Sequence, residues 1–313
     1  MSKNLFIVVL LLITFSSFSQ KSKDGKVFLD STWNETTEAN HKYFRIIKDY
    51  YSDKDNYSIS DYYKSGKLQM NGTSKYKDRL IKEGQFVYYY ENGKKKSLEN
   101  YVNGLQIGKQ YNWYQNGQVK SETENFIDEN DHYPNYKIIQ FWDSDGNQKI
   151  IDGNGEYETK NNEFYEIGKI ENGLKHGIWQ GAIKSSNLTF QETYDKGKLI
   201  KGTSTDSQNI KYEYTAISSM PGPKKGIKHF YQFFGYNFKI SNEARNKNII
   251  GRLLLTFNIE GDGSVSEIKV INGLGYGLDQ EAIRLVKLYK EWTPAKSRGI
   301  GYKVPYTLPI SIQ

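Results

Sequence analysis

The chain contains no cysteine among its 313 residues. This absence excludes disulfides, a lipoprotein attachment site, heme attachment through cysteine and cysteine-based zinc sites. Only four histidines occur; they lie far apart, and none belongs to a metal-binding helix pattern. A Gly-x-Ser-x-Gly nucleophile turn is also missing. We therefore predict a protein that is not an enzyme and binds no cofactor or metal.

Long apolar runs are equally scarce, and the mean hydropathy of −0.74 excludes a membrane protein with several spans. The exception is residues 1–19, where Lys3 precedes an apolar run over 5–15 and Ser17-Phe18-Ser19 has the small-x-small pattern of a cleavage site. Spanning a bilayer takes about 20 apolar residues. We interpret 1–19 as a cleaved signal peptide of an exported, periplasmic protein. The alternative is a retained anchor in the inner membrane, with the chain facing the periplasm.

The formal net charge is +7, from 43 basic and 36 acidic residues that are spread along the chain. Such a spread excess bears first on solubility and favours anionic surfaces weakly. The sequence shows no basic stripe with interleaved aromatic residues, so we predict no nucleic-acid partner.

The chain repeats itself. Residues 83–94 are echoed by residues 107–118, and the glycines at 84 and 93 recur 24 residues later. A fixed spacing of this kind indicates repeated supersecondary units. Each unit reads as an aromatic strand, an Asn-Gly turn and a second strand, which is a β-hairpin. One hairpin buries too little apolar surface to be stable alone, so we predict an extended meandering sheet.

Tyrosine is abundant, with 26 residues, and many lie at strand positions in the repeats. Tyr89, Trp113 and Tyr114 form the candidate aromatic face. Aromatic residues at strand spacing usually pack against one another, although faces rich in tyrosine also bind sugars. We favour packing and leave binding of a glycan or a protein open.

The repeats at about 60–202 resemble the MORN-like repeats of the YwqK type, which implies a scaffold of β-hairpins. A run rich in proline and glycine at 220–226 marks a domain boundary. The predicted domains are a signal peptide (1–19), a leader (20–42), a β-hairpin repeat domain (43–202), a linker (203–226) and a C-terminal domain (227–313).

The C-terminal domain has a readable order of elements. A strand over 252–260 meets a Gly-Asp-Gly turn, a second strand covers 264–271, a helix runs from 280 to 289 and a third strand covers 302–312. Asp279 is placed to cap the helix. The predicted fold class is mainly β plus α+β, with one small antiparallel sheet packed against a helix.

The same domain resembles the TonB C-terminal domain. The resemblance rests on Gly251-Arg252, Asp262-Gly263-Ser264-Val265, Leu278-Asp279-x-Glu281-Ala282, Trp292-x-Pro294-Ala295 and Tyr306-Thr307-Leu308-Pro309-Ile310. Ile240-Ser241 departs from the Tyr-Pro that is usual in the family. The resemblance implies a module that binds a peptide segment of an outer-membrane transporter, or another periplasmic protein, by β-strand addition.

The prolines of the last strand predict which backbone groups face a partner. Pro305 and Pro309 lack an N–H and are tolerated only where the strand is unpaired. Because backbone groups alternate sides, Lys303, Thr307 and Ser311 are predicted to present outward donors. The alternative is that the prolines blunt the edge, which then binds nothing.

Together these features predict a TonB-like periplasmic protein linked to energy-coupled transmembrane transport. We favour an adaptor or accessory role over force transmission, since a cleaved signal peptide removes the anchor and no long proline-rich spacer is present. The alternative is a non-catalytic surface or structural interaction protein that binds a glycan or protein through its tyrosine-rich hairpins.

Overall fold

The structure is a computed structural model that describes residues 24–127 and 134–313. The predicted signal peptide lies outside the described residues. Strands account for 54% of the described residues and helices for 10%, which confirms the predicted class of mainly β plus α+β. None of the helices in the described ranges is long and apolar enough to cross a membrane. The chain divides into two compact units between residues 135 and 136.

The first unit is an antiparallel meander in which successive strands pair, except that β7 and β8 both pair with β6. Its strands are β1 (Gly25–Leu29), β2 (Tyr43–Ile47), β3 (Tyr57–Tyr63), β4 (Leu68–Ser74), β5 (Lys82–Tyr89), β6 (Lys95–Val102), β7 (Leu105–Gln106), β8 (Gly108–Trp113) and β9 (Val119–Ile127).

The second unit begins with another antiparallel meander. Its strands are β10 (Pro134–Trp142), β11 (Gln148–Ile151), β12 (Asn154–Lys160), β13 (Phe164–Glu171), β14 (Leu174–Ile183), β15 (Leu188–Asp195), β16 (Lys198–Thr205) and β17 (Lys211–Tyr214).

The remainder of the second unit is the predicted α+β domain with its approach strands. The elements are β18 (Ser218–Ser219), β19 (Gly222–Pro223), α1 (Ile227–Asn237), α2 (Asn242–Asn246), β20 (Gly251–Ile259), β21 (Val265–Asn272), α3 (Leu278–Leu288), β22 (Trp292–Thr293), β23 (Ala295–Ser297), β24 (Ile300–Tyr302) and β25 (Val304–Ile312). The main sheet has the order β21-β20-β25. Its buried face packs against Phe230 and Phe234 of α1 and Leu285 and Val286 of α3.

The hairpins owe their register to one turn geometry that recurs. Between β5 and β6, Gly93 N–H donates to the carbonyl of Tyr90 at 2.8 Å, and between β8 and β9, Gly117 N–H donates to Tyr114 in the same way. Gly93 and Gly117 have φ of 85° and 91°. Side chains rarely adopt this left-handed conformation, so glycine is required there. The repeat spacing read from the sequence is therefore a spacing of turns.

A second kind of contact holds adjacent strands of the sheet together. Buried aromatic rings lie flat on glycines of the neighbouring strand. A Cβ built on Gly168 of β13 would come within 2.3 Å of the Trp179 ring, and one built on Gly72 of β4 within 2.4 Å of Phe86. Trp179 and Phe86 are both fully buried. The missing side chain is what lets the ring approach the backbone. The same arrangement joins Gly181 to Phe190 and Gly202 to Tyr214.

We expect Gly168→Ala to destabilise the second unit by about 1–3 kcal/mol, because the new methyl group overpacks a site in which Trp179 has no room to move. Urea denaturation followed by tryptophan fluorescence measures the change. Gly235→Ala is the matched control: no atom lies within 4 Å of its built Cβ, and in a helix the change to alanine stabilises by about 0.5–1 kcal/mol. Equal unfolding midpoints for Gly168→Ala and the parent protein would contradict the packing argument.

One predicted contact in the C-terminal domain is wrong. Asp279 does not cap α3: the residue before the helix is Gly277, in the left-handed conformation, and it makes no side-chain cap. Asp279 lies inside the first turn, and its carboxylate accepts from the N–H groups of Leu274 at 2.9 Å and Gly275 at 3.2 Å. It thus orders the loop that leads into the helix.

Ser241, which belongs to the pair that departs from the Tyr-Pro usual in the family, caps α2. Its hydroxyl accepts from the N–H of Ala244 at 3.0 Å.

Parts of the predicted leader and linker form strands. β1 lies within the predicted leader, and its Leu29 is buried. The end of β16, with β17, β18 and β19, lies within residues 203–226. These short, polar strands show little hydrophobic period of their own and are held by pairing with neighbours. The domain boundaries stay a prediction.

Candidate partner-binding edge

β25 is an edge strand of the C-terminal sheet. It is paired along its whole length with β20, from Val304 opposite Ile259 to Ile312 opposite Gly251. β20 is paired on its other side with β21. Within the described ranges no strand is paired with the outer side of β25. The strand thus presents one row of backbone groups away from the sheet.

The side chains of β25 alternate between two faces. Leu308, Ile310 and Ile312 are buried in the core that the helices cover, whereas Thr307 and Ser311 are exposed. The exposed residues pair with Thr256 and Arg252 of β20 on the open face of the sheet. Both Thr307 and Ser311 are therefore accessible to solvent, as a partner-binding role requires.

A hydrogen bond from helix α1 indicates which backbone groups of β25 point away from β20. The hydroxyl of Tyr231 donates to the carbonyl oxygen of Pro309 at 2.7 Å. This carbonyl points away from β20, and since N–H and C=O groups alternate along a strand, those of Thr307 and Ser311 point the same way. The two prolines leave Thr307 and Ser311 as the outward N–H donors of β25, and Tyr231 occupies one outward acceptor.

Lys303 takes a different position from the other two predicted residues. It precedes β25, and its ammonium group bonds to Glu267 of β21 at 2.6 Å and lies 3.3 Å from Glu260. This pairing raises the pKa of Lys303 and lowers that of Glu267. Both side chains are exposed, so the pair contributes little stability. The side chain of Lys303 thus faces the acidic residues at the ends of β20 and β21, and the residue lies outside the strand that pairs with β20.

The predicted aromatic residues are part of the packing of the first unit. Tyr89, Trp113 and Tyr114 are each half-buried. The carbonyl of Tyr89 accepts from the Tyr63 hydroxyl at 2.8 Å, and that of Trp113 accepts from the Tyr90 hydroxyl at 2.9 Å. Tyr63 and Tyr90, which each open a turn, are thereby bonded to the next hairpin. The binding role of these rings stays a prediction.

Sequence reasoning missed a buried ion pair between the second meander and the C-terminal domain. Arg298, in the turn between β23 and β24, donates from Nε to Glu192 of β15 at 2.8 Å. Glu192 is fully buried, and Arg298 is 12% exposed. The guanidinium also lies 3.9 Å from the centre of the Phe190 ring.

Neighbouring hydroxyl groups donate further hydrogen bonds to the Glu192 carboxylate and to the Arg298 carbonyl. The hydroxyls of Tyr194 and Tyr214 donate to the two carboxylate oxygens of Glu192 at 2.8 and 2.7 Å. Burial, followed by the hydrogen bond to Glu192, raises the pKa of both tyrosines. Ser204 donates to the Arg298 carbonyl at 2.7 Å. The turn of the C-terminal domain is thus held on the meander by charge and hydrogen bonds.

No signal in the sequence links Arg298 to Glu192, which lie 106 residues apart. The nearest cue is the alternation of buried Phe190, Glu192 and Tyr194 in β15, which places one acid on an apolar face. A buried carboxylate requires a partner.

No group of three acidic or histidine side chains in the described ranges is placed to hold a metal ion.

Comparison with known families agrees with this geometry. Residues 237–311 match the family model described as Gram-negative bacterial TonB protein C-terminal. The match supports the TonB C-terminal domain and a TonB-like protein linked to transport in general. That family is non-catalytic, its members are periplasmic or anchored in the membrane, and it implies outer-membrane transporters as the kind of partner. The search of curated proteins found no match.

We expect Arg298→Met to lower the free energy of unfolding by about 3–5 kcal/mol, because it leaves the buried carboxylate of Glu192 without its countercharge. The double variant Arg298→Met/Glu192→Gln regains part of the loss, since no charge then remains buried. Urea denaturation of the single and double variants measures the coupling. Arg245→Met, at an exposed position of α2, is the control. A loss at Arg298 no larger than at Arg245 would contradict the assignment.

Proposed function

We propose that the C-terminal domain binds an extended peptide segment of an outer-membrane transporter, or of another periplasmic partner, as a strand added to β25. The protein then serves energy-coupled transport as an adaptor or accessory component. The observation that supports this proposal is the outer side of β25, unpaired among the described strands, where Thr307 and Ser311 are exposed. Alternation from the Pro309 carbonyl, which accepts from Tyr231, directs their N–H groups away from β20. A partner strand satisfies such groups through backbone hydrogen bonds.

The opposite edge of the sheet is less suited to strand addition. In β21, Glu267 has a positive φ of 50°, and the pairing with β20 shifts register at this point. A bulge interrupts the regular row of backbone groups that a partner needs. The exposed charges of Glu267 and Lys269 also disfavour strand addition at β21, since charged side chains at a sheet edge oppose pairing. β25 is therefore the favoured edge.

The added strand has a defined reach. Pro305 and Pro309 offer carbonyl groups only, and the Pro309 carbonyl already accepts from Tyr231. A partner strand that extends past Thr307 toward Ser311 either displaces the Tyr231 hydroxyl from the Pro309 carbonyl or forms no hydrogen bond with that carbonyl. Such sparse donors favour a short partner segment whose specificity comes from side chains on the open face.

Photo-crosslinking tests the partner. A benzophenone side chain at Thr307 is expected to capture an outer-membrane transporter in cells that express the protein natively, because the added strand lies directly beside this residue. The same group at Lys269 of β21 is the control. Adducts from Thr307 that contain no outer-membrane transporter, or equal capture from Lys269, would contradict the proposal.

A second experiment isolates the backbone contact. Thr307→Pro deletes one outward N–H and leaves the pairing with β20 in place, whereas Thr307→Val changes the side chain and keeps the N–H. With the crosslinker at Ser311, we expect Thr307→Pro to reduce capture about tenfold, from the lost hydrogen bond and the unpaired carbonyl of the partner. Thr307→Val is expected to retain most of it. Equal capture by both variants, with unchanged thermal unfolding, would argue against strand addition.

A further inference from the structure

The fold gathers positive charge that the sequence spreads out. Three turns at one edge of the first meander, residues 63–67, 90–96 and 114–120, carry six lysines and one glutamate. Their net charge of +5 is most of the +7 of the whole chain. We call these nineteen residues the basic turn edge.

Direct contacts hold the three turns side by side. The hydroxyl of Ser65 in the first turn donates to Glu91 in the second at 2.8 Å. The side-chain amide of Asn92 in the second turn donates to the carbonyl of Gln115 in the third at 2.9 Å, and the ammonium group of Lys94 donates to the Asn116 carbonyl. Turns of successive hairpins lie two strands apart, a spacing of about 10 Å. The lysines therefore form rows at a regular interval.

The lysines of this edge are open to solvent. Each of them is exposed; they are Lys64, Lys67, Lys94, Lys95, Lys96 and Lys120. Glu91 is the one acid among them. The loop between β1 and β2 carries Asp30, Glu35 and Glu38 against the single lysine Lys42. Its net charge is therefore negative, and the stripe of positive charge ends there. Its length is set by the three stacked turns.

From this arrangement we infer that the basic turn edge binds an acidic polysaccharide, with carboxylates along the sugar chain paired to successive rows of lysine. Regularly spaced cations attract a polymer whose negative charges recur, and each pairing releases counterions. Between the lysines lies the exposed neutral side chain of Gln115, whose amide group suits sugar hydroxyls. The side chains of Asn92 and Asn116 are hydrogen-bonded within and between the turns.

Lysines carry this site. Of the predicted aromatic face, Tyr89 and Trp113 lie outside the basic turn edge, and Tyr114 belongs to its third turn, where the Lys120 ammonium group lies 5.6 Å from the centre of its ring.

The surface suits other anionic polymers less well. The Tyr90 hydroxyl bonds inward to Trp113, and the Lys96 ammonium group lies 6.0 Å from the centre of its ring. That ring is not an open platform for a nucleic-acid base, on which single-strand binding depends. Among the large apolar residues of the basic turn edge, Val119 alone is exposed, so little can insert into a lipid layer.

The test compares two charge-matched triple variants of the full chain. Lys67→Gln/Lys96→Gln/Lys120→Gln removes one lysine from each turn, and Lys198→Gln/Lys211→Gln/Lys269→Gln removes three exposed lysines elsewhere. The probe is a size-selected oligogalacturonate, titrated by calorimetry at about 50 mM salt, where surface charges are weakly screened. We expect the first variant to weaken binding about tenfold or more and the second less than about threefold.

Ligand controls separate charge from sugar. The fully methyl-esterified oligogalacturonate keeps the same sugar backbone without charge and is expected not to bind. Equal binding of the ester, equal loss in both triple variants, or no binding of the acid form would overturn the inference. Binding of oligothymidylate or of phosphatidylglycerol vesicles in its place would also overturn it, in favour of a nucleic acid or a membrane. Because β25 is unchanged in each variant, capture from Thr307 tests the proposed function separately.

Discussion

The left-handed glycine turn is the constraint on which the rest of the first meander depends. Gly93 and Gly117 each close a turn by donating to a tyrosine three residues earlier. A turn of fixed length sets which residue faces which across the hairpin, and a slip by one residue would move every side chain to the opposite face. The buried aromatic rings, the tyrosines bonded to the next hairpin and the row of lysines all follow from that register.

The buried pair of Arg298 and Glu192 plays a corresponding role in the second unit. A buried ion pair contributes little net stability over a well-packed apolar pair, yet it allows only the arrangement in which both charges are satisfied. Here it selects one position for the turn between β23 and β24 on β15 and β16. Since β24 leads directly into β25, the strand proposed to receive a partner continues from this anchored turn.

Much of the C-terminal domain was predictable from local sequence. The sequence predicts its three strands and its main helix within two or three residues of their observed limits. Each of these elements has its own hydrophobic period and is bounded by turn residues such as glycine and proline. Asp279 was misassigned as a cap because its residue type and position fit one, whereas its carboxylate reaches back to the loop at Leu274. β1 and β17 went unrecognised as strands, since they are short and depend on pairing with neighbours.

The hairpin class, the turn positions and the resemblance of the C-terminal domain can be read from the amino-acid sequence, since glycine conformation, side-chain period and ordered motifs are local properties. The folded chain, by contrast, brings Arg298 to Glu192 and the Tyr231 hydroxyl to the Pro309 carbonyl. It also brings lysines of three separate turns onto one basic edge. Along the sequence these lysines form no stripe, because whole strands separate the three turns that carry them. The sheet brings them together, because hydrogen-bonded strands lie only about 5 Å apart however many residues separate them along the chain.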